Sequence, residues 1–432
     1  MHFGLTQLIP PVIYGLSLIV IILTLFWDPK IGIFFLFPLL PYQNIFEKIQ
    51  TFPLGKDLND LLILAIIIGW LLKRNKINNS SEKDNSIMIC PILFLIIINS
   101  IGMIISSVNR GLSINFNNVY FLDWKNYIFL PIICLLTFKN LTNYKTLKMF
   151  TFFLIVGILG VSYSYFRASE GINFSHFSYD MRNKMTGLFV YLGPNHYGAF
   201  YAHFVFVIMG IFLFEKSTVR KIIFLIIIIV TLYSLTITFS RGAYLAVIAG
   251  FLFLGVVKEK KLLFLLIIFI IFWKSFVPYA VVERIEMTRD GTGQLEDSAN
   301  ERVKLWEIAL NMFRSSPIIG NGFNSFQALG FTDTHNYYLK MLAELGIIGL
   351  INFLYLCFAA FWISWKLYLK SNNNFFRGLG LGFATCVISV MITNYFGNRW
   401  SYLSLGSYFW IFLGIIMRAY LIDKAQIEKI KG

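Results

Sequence analysis

Long apolar stretches recur along this chain, near 10-27, 31-46, 58-72, 87-106, 119-138, 149-166, 187-214, 222-239, 243-257, 262-278, 337-365, 378-396 and 403-421. A helix needs about 20 such residues to cross a bilayer, and no soluble fold repeats that pattern. Composition agrees, because only 14% of residues are Asp, Glu, Lys or Arg while 57% are apolar, whereas a soluble domain carries about 25% charge. The sequence therefore predicts an all-α, polytopic integral membrane protein, with residues 1-432 forming a single membrane-embedded domain. Residues 12 to 27 lack a basic leader and a small-residue cleavage site, so this first span is expected to be retained.

The 37 Lys+Arg exceed the 22 Asp+Glu, giving a formal charge of +15. These bases sit in short clusters between apolar spans, not in a stripe interleaved with aromatics, which excludes nucleic acid as the partner and makes the lipid bilayer the natural one. Clusters at Lys73, Arg74, Lys76 and Lys83, at Lys139, Lys145 and Lys148, at Lys216, Arg220 and Lys221, at Lys258, Lys260 and Lys261, at Lys366, Lys370 and Arg377, and at Arg418, Lys424, Lys429 and Lys431 follow alternate spans. Those loops read as cytoplasmic. Segments 107-118, 167-186, 279-336, 397-402 and the turn Ser240-Arg241-Gly242 then lie on the opposite side. Pro38 and Pro41 interrupt segment 31-46, which is expected not to cross, leaving about twelve spans with both ends cytoplasmic. The four Cys stand singly in apolar stretches and read as small hydrophobes.

Segment 279-336 is the one long polar loop. Ser298-Ala299-Asn300-Glu301 reads as a capping box, and Val303, Trp306, Leu310 and Phe313 then mark an amphipathic helix. Pro317 ends it, Gly320 and Gly322 form a tight turn, and Asp333 or Thr334 is expected to cap the helix that His335 opens.

Several polar residues are poorly explained by a membrane scaffold alone. Arg241 stands between two long apolar runs, where a charge costs about 2.5–3.5 kcal/mol to insert; it reads either as a snorkelling turn residue or as an anion site facing a cavity. His335, with Asn336 beside it, is placed at a helix N-terminus, whose positive potential favours a neutral imidazole able to take a proton. Arg302 lies in the first turn of the loop helix, as a solvated residue or a ligand for anions. Gly193-Pro194-Asn195-His196 interrupts segment 187-214, either as a packing kink or as exposed backbone lining a cavity. Arg182, Lys184 and Arg399 lie on the non-cytoplasmic side against the general charge bias; Arg399 beside Trp400 also reads as an interface anchor. Asn195, His196, Arg182, Asn336 and Arg399 are thus candidate cavity residues. His196 and His203 have no carboxylate or Cys at ligand spacing, so no metal is assigned. A Ca²⁺-loop-like run from Asp290 fails because Leu295 occupies the position that needs Gly. With no D-x-D and no phosphate-binding P-loop, no cofactor is implied.

Three blocks of this sequence resemble the O-antigen ligase and polymerase superfamily of bacterial inner-membrane glycosyltransferases. Thr238-Phe239-Ser240-Arg241-Gly242 is similar to the family's S-R-G. Arg302-Val303-Lys304-Leu305-Trp306 through Pro317-Ile318-Ile319-Gly320-Asn321-Gly322 is similar to its R-x-x-x-W followed by P-x-x-G-x-G. Thr334-His335-Asn336-Tyr337-Tyr338-Leu339 through Glu344-Leu345-Gly346-Ile347-Ile348-Gly349 is similar to its H-N-x-x-L with E-x-G-I-I-G. The resemblance is best over 187-350. It implies a GT-C-like membrane fold in the bacterial inner membrane, facing the periplasm, that moves a glycan from undecaprenyl pyrophosphate to a sugar hydroxyl on lipid A-core or on another lipid-linked repeat, without metal and with inversion. Carried over by position, His335 would be the general base, and Arg241 and Arg302 would hold the pyrophosphate. The competing reading is a secondary transporter of a small anion, built around a broken helix at Gly193-Pro194 with Arg241 at its substrate site.

Overall fold

The computed structural model describes residues 5–77, 87–185, 187–189, 192–287 and 297–431. Among these it is 80% helix without a strand. The first seven helices are α1 (Leu5–Phe26), α2 (Pro29–Leu39), α3 (Gln43–Ile49), α4 (Leu58–Ile77), α5 (Ile89–Arg110), α6 (Val119–Asn140) and α7 (Tyr144–Ala168). They are followed by α8 (Tyr179–Lys184), α9 (Pro194–Phe214), α10 (Thr218–Thr236), α11 (Arg241–Val257), α12 (Lys260–Phe276) and α13 (Tyr279–Glu286). The loop helices α14 (Asp297–Ser315) and α15 (Ser325–Ala328) precede the last three, α16 (Tyr337–Lys370), α17 (Asn374–Tyr395) and α18 (Leu403–Lys431). Among the described residues nine helices are long and apolar enough to cross a membrane, or ten if α12 and α13, bent by 106°, form one broken span. The chain is a multi-pass, all-helical membrane protein. Segment 31-46 divides into α2 and α3 around residues 40–42, as Pro41 requires, since it removes a donor and disfavours helix in the residue before it.

Helix α9 is the centre of the bundle, buried at nearly every position from Tyr197 to Ile211. Its closest neighbour is α17, and the two backbones touch: a Cβ added to Gly210 would lie 2.3 Å from the Gly378 carbonyl oxygen and 2.5 Å from Gly382. Where lipid tails are as apolar as side chains, such small-residue seams bring helices together through close packing. Peripheral α12 is the opposite case, with Leu266 its one buried residue. Pro194 does not kink α9. It opens the helix after Gly193, at the position where a missing N–H leaves nothing unpaired, so the broken helix on which a transporter reading depends is a helix start.

Two departures from the sequence expectation shape the functional end. First, α14 begins at Asp297, one residue ahead of the expected cap; the Ser298 side chain, together with Lys83 and the stretch 288–296 that holds Asp290, lies outside the described residues. Its buried stripe is Leu305, Ala309 and Met312, packed on Phe326 and Ala343, while Val303 is exposed. Both stripes fit a helical period, and only the neighbouring α15 and α16 decide which is used. Secondly, α16 is broken at Gly346, where φ is 64° and ψ is −164°. The loop after α14 fills that break: Gly322 N donates to Glu344 O (2.8 Å), Asn321 N to Ala343 O (3.1 Å), and Ile347 N to Pro317 O (2.9 Å). Gly320, at φ 72°, leaves no room for a side chain, since a Cβ there would sit 2.3 Å from Glu344 O. Pro317-x-x-Gly320-x-Gly322 and Glu344-x-Gly346 are therefore two halves of one backbone clasp.

Candidate functional site

Helices α9, α11, α16 and α18 begin at the same end of the bundle at which α10 and α17 finish. Contacts between these ends fix the arrangement. A Cβ on Gly198 would meet Ser240 and Thr238, a Cβ on Gly242 would meet the Phe396 ring, and the His196 ring stands edge-on to Tyr402 with centroids 5.0 Å apart. Four helix N-termini directed at one volume give it positive potential before any side chain is counted. The loops at the other ends of these helices carry Lys216, Lys258 and Lys370.

His335 lies at the mouth of this volume. The cap of α16 is Asn336, not Asp333 or Thr334: its side chain accepts from Tyr338 N (3.0 Å) and Leu339 N (3.2 Å). Thr334 instead ties the approach, accepting from Asn336 N at 3.2 Å and donating to Asn336 O at 2.7 Å, and Trp306 Nε1 donates to Thr334 O at 3.0 Å. His335 thus precedes the cap, in a left-handed conformation (φ 53°) that is strained for a residue with a Cβ. Its side chain is 39% exposed, and its Nδ1 lies 3.9 Å from Oδ2 of Asp333, which is 12% exposed. Burial holds the imidazole below its ordinary range; Asp333 opposes this, while the guanidinium groups of Arg302 and Arg399 add to it. The ring is accordingly neutral at pH 7, for a different main reason than the helix terminus.

Arginines surround this imidazole. Arg302, half-buried on α14, and Arg399, in the loop between α17 and α18, both act on it electrostatically. Arg399 is 7% exposed, and burial pushes its guanidinium down to about 10, so it stays charged at pH 7. So buried, Arg399 is not an interface anchor, and neighbouring Trp400 is likewise buried, between Phe353, Phe409 and Trp410. Arg182, also 7% exposed, joins two elements of the site, with Nη2 donating to Asn195 Oδ1 (2.6 Å) and Nε to Thr238 O (3.1 Å). It too is lowered to about 10, by burial first and by Arg284 next. Among the described residues neither Arg182 nor Arg399 makes an ion pair. Arg241 is the half-buried first residue of α11, two residues after Phe239, whose φ is 55°. His196 lies within electrostatic reach of Arg399 and His335. Lys184 is exposed, and His203 is a core residue, with Nε2 2.7 Å from Thr393 Oγ1.

A shallow, open apolar groove lies near these cations, lined by Tyr338, Met391, Ile392, Tyr395 and Phe396. Tyr395 packs on Trp306 with centroids 6.1 Å apart, one turn from Arg302, and Phe396 packs on Gly242, next to Arg241. The groove thus lies near the cationic end through residues that neighbour Arg241 and Arg302. Sequence reasoning did not identify Asp333 as the carboxylate beside His335, nor the buried pair Lys340 and Glu344, although their i,i+4 spacing was legible. It also passed over Arg284, buried against the rings of Phe177 and Tyr179.

The fold and the site define a class: multi-pass helical membrane proteins with arginines gathered at one end of the bundle and an open apolar groove near them. Within that class, residues 223–354 match the family model described as O-antigen ligase, which covers the S-R-G turn, the loop helix and the His335 segment. The chain is also similar, at 28% identity over 212 residues, to a Rickettsia felis protein named "Putative polysaccharide ligase". That alignment takes in 44% of this chain and 49% of the relative, so the chain spans about half the length of the curated relative it matches. The sequence resemblance to this family thus stands, in a multi-pass membrane protein.

Proposed function

We propose that this protein is an inner-membrane glycosyltransferase that moves a glycan from undecaprenyl pyrophosphate to a sugar hydroxyl on the periplasmic face, with inversion and without a metal. The observation that carries this reading is the proximity of the cationic end to the apolar groove, which fits a molecule with a diphosphate head and a polyisoprenoid tail. Arg241 and Arg302 are assigned to the diphosphate, because guanidinium groups bind phosphate oxygens bidentately. Arg399, buried and without an ion pair among the described residues, stabilises the negative charge that develops on the leaving diphosphate. A buried cation is stabilised by an arriving anion, so the site is built to be completed by its substrate. His335, neutral and at the mouth, takes the proton of the acceptor hydroxyl as its oxygen attacks the anomeric carbon and the diphosphate departs with the bonding electron pair. Asp333 faces its Nδ1 and stabilises the imidazolium so formed. Arg182 and Asn195 hold the 238–241 turn against α9.

The direct test is to incubate purified protein with undecaprenyl-diphosphate-linked oligosaccharide and either lipid A-core or a second lipid-linked repeat, with and without EDTA. Transfer that is unaffected by chelation is the expected outcome, and the acceptor used separates ligase from polymerase. Uptake of a small anion by reconstituted vesicles, with no glycan transfer, would replace this reading by transport.

A further inference from the structure

A second cavity, polar and of about 90 Å³, adjoins the site and is lined by Asp123, Asn324, Gln327, Lys340, Asn398 and Tyr402 among others. It touches the reaction volume at two points. Asn398 N donates to Asp333 Oδ2 at 3.4 Å, the same oxygen that faces His335, and Tyr402 is the ring against His196. Its floor is a chain of polar side chains: Glu344 Oε1 lies 3.8 Å from Lys340 Nζ, Lys340 Nζ donates to Asn324 Oδ1 at 3.5 Å, and Asn324 Nδ2 donates to Asp123 Oδ2 at 3.1 Å. Exposure is graded along it, from 0% at Glu344 and 2–4% at Asn324 and Lys340 to Asp123, exposed at the mouth.

Such a chain is a poor stabilising device. A buried ion pair loses about as much in desolvation as it gains, and apolar residues would fill the same space at no loss of stability. Asn324 is also held in the left-handed region (φ 55°), a strain of the kind that collects at ligand sites. Acid and base offset one another here, so the cavity does not suit a phosphate, which the arginines nearby do. Carboxylate, ammonium and carboxamide groups converging from several directions match hydroxyl groups, which both donate and accept. The volume is well below the roughly 300 Å³ of a complete ligand pocket but admits several water-sized groups, hence one hydroxyl-bearing edge of a ring.

We infer that this cavity is a sugar-recognition subsite, in which Asp123, Asn324, Gln327 and Lys340 bind the hydroxyl-bearing edge of an uncharged sugar and present it beside His335. The sugar belongs to the acceptor or to the transferred glycan, and the inference rests on the transferase reading only for that second step. The test uses full-length protein in detergent with simple methyl glycosides of glucose, galactose, rhamnose and N-acetylglucosamine, which carry no diphosphate, followed by saturation-transfer NMR. Wild type binds at least one of them. Asp123→Asn and Gln327→Leu each weaken that binding roughly tenfold, whereas Arg377→Gln, at the opposite end of the bundle, leaves it unchanged. In the transfer assay the same two variants raise KM for one sugar substrate while kcat stays within twofold. Competition of the methyl glycoside with the acceptor, or with the lipid-linked donor, assigns the source; competition with neither overturns the subsite. Absence of glycoside binding by wild type, or equal binding by wild type and both variants, also overturns it. Glycoside binding as described with no transfer to any acceptor would leave the subsite standing and remove the transferase reading.

Discussion

The two ends of the bundle hold the same residue types in opposite circumstances. At the lysine-rich end, cations are laid against aromatic rings and carbonyls: Arg418 lies 4.7 Å from the Phe138 ring centre and donates from Nε to Phe138 O at 2.8 Å, Arg377 lies over Phe214 and Tyr368, and Lys258 lies over Phe214. At the His335 end Arg182 and Arg284 also rest on a carbonyl and on aromatic rings, but Arg399, equally buried, makes no ion pair among the described residues and shares its surroundings with Asp333, Arg302 and Arg182. One arrangement spreads cations over separate aromatic and carbonyl partners, each interaction contributing about 0.5–1 kcal/mol when exposed. The other brings several guanidinium groups within electrostatic reach of one another around Asp333. The difference teaches that an arginine in a membrane protein is informative through its company, not through its burial.

Substitutions at the two ends should separate these roles. His335→Ala is expected to reduce kcat by about 10² to 10⁴-fold at unchanged donor affinity, the range of general-base assistance; wild-type turnover in a purified transfer assay would remove the base assignment. Arg241→Ala and Arg302→Ala are each expected to lower transfer about 10² to 10³-fold, the usual loss for one fixed donor to developing negative charge, with the protein still in the membrane. Arg241→Lys should recover little of it, because an ammonium cannot make the bidentate contact; full activity in that variant would sink the phosphate role.

Gly346→Ala tests the clasp. It places a Cβ 2.3 Å from Ile318 O at a φ of 64°, and a loss of about 1–3 kcal/mol in thermal or denaturant unfolding is expected from the strain.

The pH profile sharpens the comparison further. Because His335 is held below the ordinary imidazole range, the acidic limb of kcat/KM should fall below about pH 6.5. Asp333 favours the protonated ring, so Asp333→Asn removes a pull that raises the pKa, and the limb moves to still lower pH; movement upward would show that Asp333 does not face the titrating group. Smallest of all, Arg377→Gln at the opposite end should leave turnover within about twofold while costing roughly 0.5–1 kcal/mol of stability.

Much of this architecture could be read from the chain, and the misreadings share a cause. Apolar length marked most spans, and of the two prolines expected to interrupt segment 31-46 only Pro41 does, since Pro38 lies inside α2. Pro194 was misplaced because a proline inside a long apolar run has the same signature whether it kinks a helix or opens one. The cap of α16 was placed two or three residues early because Asp333, Thr334 and Asn336 are all competent caps, and hydrogen bonds from Tyr338 and Leu339 choose Asn336. The stripe on α14 was rotated for a similar reason, two apolar series sharing one helix. Asp333 was read as a cap and is instead the carboxylate beside His335, a role that depends on the turn of the chain at φ 53°.

Taken alone, the order of residues settled that this chain resides in a membrane as a helical bundle, because backbone polar groups cannot be left unpaired in lipid and long apolar runs have no other stable form. It also supplied His335 and the arginines as the groups worth attention. Packing decided the rest: which helix ends meet, that a glycine-rich loop fills the break at Gly346, and that an apolar groove opens against the cations. Those outcomes depend on contacts between residues a hundred or more positions apart, such as Phe396 on Gly242, and no local pattern carries that information.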